Sequence, residues 1–447
     1  MNSEQTPTSD QALSKELLDF IQASPSMYHA VDTIQSTFKE AGFLEVKEGE
    51  DWELQAGKAY YVNRNGSSVL AFRLPETLDS LHFQITASHT DSPTFKLKSR
   101  PILDGPDGYL RLNVEGYGGM IDSTWFDRPL TLAGRCLVET ETGVESRLLY
   151  IDKDLLVIPN APIHFNRQVN KGYEFNHQRD LIPVFSAGLC TAEDFYAMLG
   201  QSLGISSDKI LATDLFLVNR TPPALLGWKE EMVGSPKLDN LQCAFASMKA
   251  LIGAKKSGAI NVYASFDNEE VGSLTKQGAM STFLKDCLRR IILGLGLGQE
   301  DYQKALSKSF LVSCDNAHAL HPNRADLYDP VNRVYMNKGV VIKENAAQSY
   351  TTDAFSQAVF RKICQRVGVP VQNFANRSDL GGGGTLGNIS NVQVSLHSVD
   401  IGLAQLAMHS AYETGGVKDT AYMIRALEEF YSTVINIQGA QSASFDC

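Results

Sequence analysis

Three times in this chain an apolar, β-rich run breaks off directly into a histidine or an acid, and this repeated pattern narrows the fold more than any other feature. Leu81 to Ser88 alternates Leu81, Phe83, Ile85 and Ala87 with polar partners and ends in His89-Thr90-Asp91-Ser92-Pro93. Ile260 to Phe266 runs into Asp267-Asn268-Glu269-Glu270-Val271-Gly272-Ser273, and Ser309 to Cys314 runs into Asp315-Asn316-Ala317-His318. Runs of this length, rich in β-branched and aromatic residues, predict strands. With helical segments between them they predict an α/β sheet, a fold that gathers its sites at the carboxyl ends of the strands. Adjacent Glu269 and Glu270 at a strand end point in different directions, so one can hold a metal while the other takes a proton from water. Taken alone, the acidic turn reads as a solvated loop leading through Gly272-Ser273 into a helix.

The rest of the chain fits around that sheet. Apolar residues three and four apart predict helices from Asp10 to Ala23 and from Ser26 to Ala41, separated at Pro25. Strands at Tyr60-Tyr61-Val62 and Ser68 to Phe72 flank Asn65-Gly66, a hairpin signal. From about Phe95 to Met232 the texture changes to short β-rich pieces with Gly and Asp turns, and no long helix is expected before Thr191. Its His164 and His177 read as surface histidines. The α/β pattern then resumes. Asp239 precedes an apolar helix, Leu241 to Ile252, as either its cap or a ligand held at its start. Helices follow at Met280 to Ile292 and Thr352 to Val367, with strands at Val340 to Lys343 and Val392 to Leu396. Last comes a helix from Leu403 to Glu413, capped by Gly415-Gly416; on it His409 reads as a packed core histidine. Gly381 to Gly384 suits a backbone that approaches a ligand closely, or a flexible loop. The expected organisation is an α/β domain from residues 1–94 and 234–447, interrupted by a β-rich insert over 95–233.

At 447 residues the chain exceeds one ordinary core, and its net charge of −11 argues against nucleic acid or an anionic membrane as principal partner. Met1 to Gln11 is polar and acidic, without the pattern of a secretory signal, and no apolar run approaches the about 20 residues of a membrane span. The seven cysteines are scattered and odd in number, as expected of reduced, mostly buried thiols in a cytoplasmic protein, and they do not pair into a thiolate zinc site.

His89 with Asp91, Glu269 with Glu270, and Asp315 are thus expected on one sheet edge, with Asp239 and His409 supplied by neighbouring turn and helix positions. Two His and three carboxylates, one of them bridging, would hold two zinc ions about 3.5 to 4 Å apart. Cobalt or manganese also suits such a mixed donor set. Without metal, these acids repel one another and raise their own pKa values.

Five motifs in this order make the chain similar to the aspartyl aminopeptidase and vacuolar aminopeptidase I family of cocatalytic zinc aminopeptidases. They are Ala87 to Pro93, Lys237-Leu238-Asp239-Asn240, Asp267 to Ser273, Asp315 to Ala319 with His321-Pro322-Asn323, and Ala407-Met408-His409-Ser410. The likeness begins at Ser24 to Ala30 and runs almost to the C-terminus. It implies that Asp239 bridges the metals, with His89 and Asp315 on one zinc and Glu270 and His409 on the other. Asp91 would orient His89, and Glu269 would be the general base. His164, within Ala161-Pro162-Ile163-His164-Phe165, resembles a histidine that reaches a partner subunit's active site and steadies the oxyanion. His318, Lys343 and the loop containing Gly383 and Thr385 resemble substrate-side elements. The resemblance also implies peptide substrates with a free N-terminus, dimerisation through the insert and a dodecamer of dimers. The Arg377 to Thr385 loop is richer in glycine than expected for acidic-selective members, so preference for Asp and Glu or for neutral residues such as Leu stays open. Two rivals remain: another two-metal hydrolase, such as a deacylase or carboxypeptidase, and a non-catalytic self-assembling scaffold.

Overall fold

The computed structural model describes residues 8–78 and 81–446, so most of the polar Met1 to Gln11 start and Cys447 lie outside the described residues. Its centre is a nine-stranded sheet in the order Leu44–Glu45, Ala59–Arg64, Ser68–Arg73, Ile260–Phe266, Phe83–His89, Phe310–Cys314, His397–Gly402, Val340–Glu344 and Val371–Ala375. Ile260–Phe266, Phe83–His89, Phe310–Cys314 and His397–Gly402 run parallel, so their carboxyl ends share one edge. Two apolar clusters cover the faces of this sheet, and a third fills the sheet formed within residues 94–219.

The alternation over Leu81 to Ser88 suggests one wet face, yet every residue of Phe83–His89 is buried. The polar face is covered because partners satisfy it. Gln84 is hydrogen-bonded to the carbonyl of Phe430 and accepts from the Ile435 N–H, and Thr86 Oγ1 lies 2.6 Å from the Tyr431 hydroxyl. A parallel strand buried on both faces can therefore still alternate, provided each buried polar group is paired.

The first two helices, Ser9–Gln22 and Met27–Glu40, and the hairpin at Asn65-Gly66, where both φ angles are positive, match the expectation. A six-stranded antiparallel sheet, ordered Val144–Tyr150, Leu130–Glu139, Ile210–Asn219, Thr94–Asp104, Tyr109–Tyr117 and Val184–Ala187, accounts for the β-rich stretch. Leu155 to Ile158 makes only isolated bridges there. Its helix, Ala192–Leu203, is capped by Thr191. A smaller five-stranded sheet joins Ala224–Leu226, Met232–Ser235, Glu413–Gly416, Ala404–Leu406 and Ala317–His318 beside the carboxyl edge.

Three expectations are corrected. Val392 to Leu396 is not a strand. The Asn391 side chain accepts the Leu396 N–H and turns the chain, so pairing starts at His397. Leu403 to Glu413 is not a helix either. Ala404–Leu406 and Glu413–Gly416 are strands joined by a turn in which Ala407 and His409 have positive φ. The apolar spacing there imitates a helix, but buried Glu413 captures the His409 N–H, and a Cβ at Gly416 would meet the Asn337 N at 2.6 Å. Gly415-Gly416 is accordingly strand, not cap. The Glu269-Glu270 turn does not lead directly into a helix. It is a short 3-10 segment, and the next helix begins at Phe283.

Candidate active site

Each strand end delivers what its motif promised. His89 is the last residue of its strand, Asp267 follows Phe266 directly, and Asp315 follows Cys314. Asp239 stands at the start of Leu238–Gly253 but has a non-helical backbone (φ −81°, ψ 108°). Its side chain therefore leaves the helix and enters the cluster. His409 reaches the same place from its turn, with its side chain about a third exposed.

Asp239 divides its two oxygens. Oδ1 lies 3.4 Å from His89 Nε2, which is also 3.6 Å from Asp315 Oδ1. Oδ2 lies 3.7 Å from His409 Nε2, itself 3.3 Å from Glu270 Oε2. Two donor groups capable of holding a cation, His89–Asp239–Asp315 and Asp239–Glu270–His409, thus share one carboxylate. A third grouping joins His89 with Glu269 and Glu270. Asp239 Oδ1 and Glu270 Oε1 are buried without a hydrogen-bond partner. Buried acceptors left open among so many acids fit divalent cations, which would both satisfy and neutralise them.

The electrostatics say the same. Burial, followed by the Asp315, Asp91 and Asp239 carboxylates, pushes Glu269 up to about 8 against the lowering pull of His89. Burial and Asp239 hold Glu270 well above the carboxylate range. Burial alone would lower the His89 imidazole, but Asp239, Asp315 and Asp91 outweigh it and hold it well above its ordinary value. Burial would likewise raise Asp315; Lys343, with His89, reverses that and holds it down.

Asp91 anchors the arrangement. Its backbone carbonyl is hydrogen-bonded to His89 Nδ1 at 3.1 Å, its Oδ1 lies 3.3 Å from the same nitrogen, and its carboxylate accepts the N–H groups of Glu269 and Glu270, each at 3.2 Å. The Nδ1 contacts leave His89 Nε2 facing the cluster. Glu269 is half-buried beside these donors, and its carboxylate accepts no hydrogen bond from the described residues.

Among the residues expected to face substrate, Lys343 is buried and donates to the carbonyls of Asp315 (2.8 Å) and Asn316 (3.2 Å). His318 opens to solvent while its ring packs near Phe374, and the surrounding protein together with Lys343 keeps its imidazole below the ordinary range. Thr385 is buried and donates to Asp400 Oδ1 at 2.6 Å. None of Gly381 to Gly384 has a positive φ; a Cβ at Gly381 or Gly383 would meet nothing within 4 Å, whereas one at Gly382 would run into the Asn376 side chain, so of these three only Gly382 is closely packed. His164 is exposed between exposed Ile163 and Phe165, and no hydrogen bond or ion pair joins it to the cluster among the described residues. His177 instead pairs with Asp122 at 2.9 Å.

Sequence reasoning missed Glu413, which supports the Asp239 and His409 backbone, and Tyr117, which donates to Asp91. Neither sits in a local motif, and only the folded chain brings them to the site. Asn316 was legible as part of its motif, but its contacts with the Leu238 carbonyl and Gln405 were not.

An α/β sheet edge carrying paired His–carboxylate groups with a free carboxylate beside them defines a metallohydrolase. The chain belongs to the M18 aminopeptidases, since the family model for Aminopeptidase I zinc metalloprotease (M18) matches residues 20–431. A probable M18 family aminopeptidase 2 of Clostridium acetobutylicum is 44% identical over 426 residues, spanning 94% of this chain and 98% of its own length. Among solved structures, Ape4 in its complex with Nbr1 superposes with a TM-score of 0.90 at 36% identity, covering 95% of this chain and 86% of that one. The mApe1 of Chaetomium thermophilum superposes at 0.86 with 26% identity over 95% of this chain and 98% of that one. No helix among the described residues is long and apolar enough to cross a membrane.

Proposed function

We propose that the protein releases N-terminal residues from peptides with the help of two divalent cations, and that Glu269 is its general base. The observation that carries this reading is the division of the Asp239 carboxylate between two His–carboxylate groups. His89, Asp239 and Asp315 would hold one ion and Asp239, Glu270 and His409 the other, three protein ligands each, a set that suits zinc and also accepts cobalt or manganese. When bound, the ions polarise the scissile carbonyl and lower the pKa of water towards about 7.

Asp91 fixes the His89 ring. Glu269, with its carboxylate free, takes a proton from the attacking water and returns it to the leaving amine. The free N-terminal amine of the substrate would sit near one of the ions and the acidic cluster, which would restrict cleavage to chain ends. His318, Lys343, Gly383 and Thr385 line the substrate side. His164 stands exposed, as a residue completing a neighbouring subunit's site would be in the isolated chain. Residues 1–94 and 234–447 form the catalytic unit, and 95–233 form the insert through which copies dimerise and build the dodecamer that the resemblance implies. Six free cysteines among the described residues accord with a cytoplasmic setting.

The test is a panel of peptides beginning Asp, Glu, Leu, Met or Lys, each free or N-acetylated, assayed with chelator and with metal restored. Metal-dependent release from free peptides alone is expected, and the panel resolves acidic from neutral preference. Cleavage of acetylated peptides or acyl groups instead would favour the deacylase reading. No release by fully metallated protein would favour the scaffold.

A further inference from the structure

The six-stranded sheet touches the catalytic turn at two points within the same chain. Tyr117 ends the strand Tyr109–Tyr117, and its hydroxyl donates to Asp91 Oδ2 at 2.8 Å while accepting from Asn268 Nδ2 at 2.8 Å. The next residue, Gly118, is so close that a Cβ there would lie 3.0 Å from the Glu270 Cβ. Asn268 has positive φ (62°), an uncommon conformation for a residue with a side chain, and its amide oxygen accepts from Thr275 and Gln277, each at 2.7 Å. Tyr117 thus grips both neighbours of the acidic pair: Asn268, which sets the turn, and Asp91, which holds the Glu269 and Glu270 N–H groups. The ring is itself held in an apolar cluster with Met27, Tyr28 and Phe216, edge-on to Phe216 at 5.5 Å. Burial, then Asp91, raises the Tyr117 phenol, so it remains a donor at every working pH.

We propose that Tyr117 is a positioning residue for the Asn268–Glu270 turn, acting through Asp91 and Asn268, so that the six-stranded sheet completes the active site of its own chain. This rests on the reading of Glu269 as base and Glu270 and His89 as metal ligands. Tyr117→Phe keeps the ring and its packing and removes only the hydroxyl. Loss of one partner outside the ligand set commonly costs about 10- to 100-fold in metal affinity or activity. Tyr28→Phe is the control, because Tyr28 lies in the same cluster but its hydroxyl donates to Asp214 at 3.2 Å and to no residue of the Asn268–Glu270 turn.

The experiment measures kcat and KM on the preferred peptide, metal retention against a graded chelator and the thermal midpoint. For Tyr117→Phe the expected result is kcat lower by about 10- to 100-fold with KM within about twofold, metal lost at about tenfold lower chelator, and a nearly unchanged midpoint. Tyr28→Phe should keep wild-type kcat and metal retention. Wild-type kcat and retention in Tyr117→Phe would overturn the proposal, as would losses that merely follow a lowered thermal midpoint. Should the wild-type protein release no N-terminal residue, the aminopeptidase reading fails by itself, and metal retention still decides the role of Tyr117.

Discussion

The carboxylate of Glu413 accepts the backbone N–H of Asp239 at 3.0 Å, deep inside the small sheet. Its other oxygen accepts the N–H of His409 at 2.8 Å, so one buried acid supports the main chain beneath two residues of the same donor group. In Glu413→Gln the amide can accept at only one atom and presents an NH2 to the other N–H. Such a mismatch costs about 1–3 kcal/mol, and the lost support should weaken metal retention about 10- to 100-fold. Metal content after dialysis against a metal buffer, with a melting curve, checks this; wild-type retention would contradict it.

Metal binding should be coupled to protons. Without metal, His89 and Glu270 are held well above their ordinary values, and Glu269 is pushed up to about 8. Near neutral pH the site therefore carries protons that cations must displace, and lowering the pH adds competitors. Affinity should fall as pH drops from about 8 to about 6, and loading near pH 7 should release roughly one or more protons per subunit. Calorimetry in two buffers of different ionisation enthalpy reads that release directly. Equal heats in both buffers would count against it.

The glycine-rich loop is tied down at its Thr385 end. Asp400 is fully buried and accepts from Thr385 Oγ1 at 2.6 Å and Thr351 Oγ1 at 2.8 Å, joining two loops beside the site. Thr385→Val removes one hydrogen bond worth about 1 kcal/mol, so KM should rise about fivefold with kcat and metal content little changed. An unchanged KM would separate this loop from substrate binding.

Stability should also depend on Asp214, where Tyr28 of the second helix meets Lys96 and Arg135 of the six-stranded sheet. Burial alone would raise this carboxyl, but Lys96 and Arg135 outweigh it and hold it below its ordinary range. A depressed folded pKa contributes stability above the unfolded value of about 3.9, which is lost as pH falls through the folded one. Asp214→Asn should therefore cost about 1–3 kcal/mol at neutral pH, with the gap closing in acid below about pH 4. Denaturant midpoints at both ends check it; a gap of constant size would contradict it.

What could be read from the chain alone followed the physics of short range. The strands that end at His89 or directly before Asp267 and Asp315 were legible because each apolar run is contiguous with its histidine or acid. Asp239 was ambiguous because a helix cap and a ligand look alike until the backbone is known to leave the helix there. The turn around His409 was misread because Leu403, Leu406 and Ala411 mimic helical spacing, whereas the deciding partner, Glu413, acts through its side chain on a backbone N–H. Tyr117 was invisible because it lies 26 residues from Asp91 and 151 from Asn268.

The central claim is tested most directly by counting metal and measuring turnover together in Glu269→Gln. Neither donor group built around Asp239 contains Glu269, so the variant should keep two ions per subunit while kcat falls about 10²- to 10⁴-fold. Wild-type turnover with both ions bound would contradict Glu269 as base, and loss of metal in step with activity would make it a ligand instead.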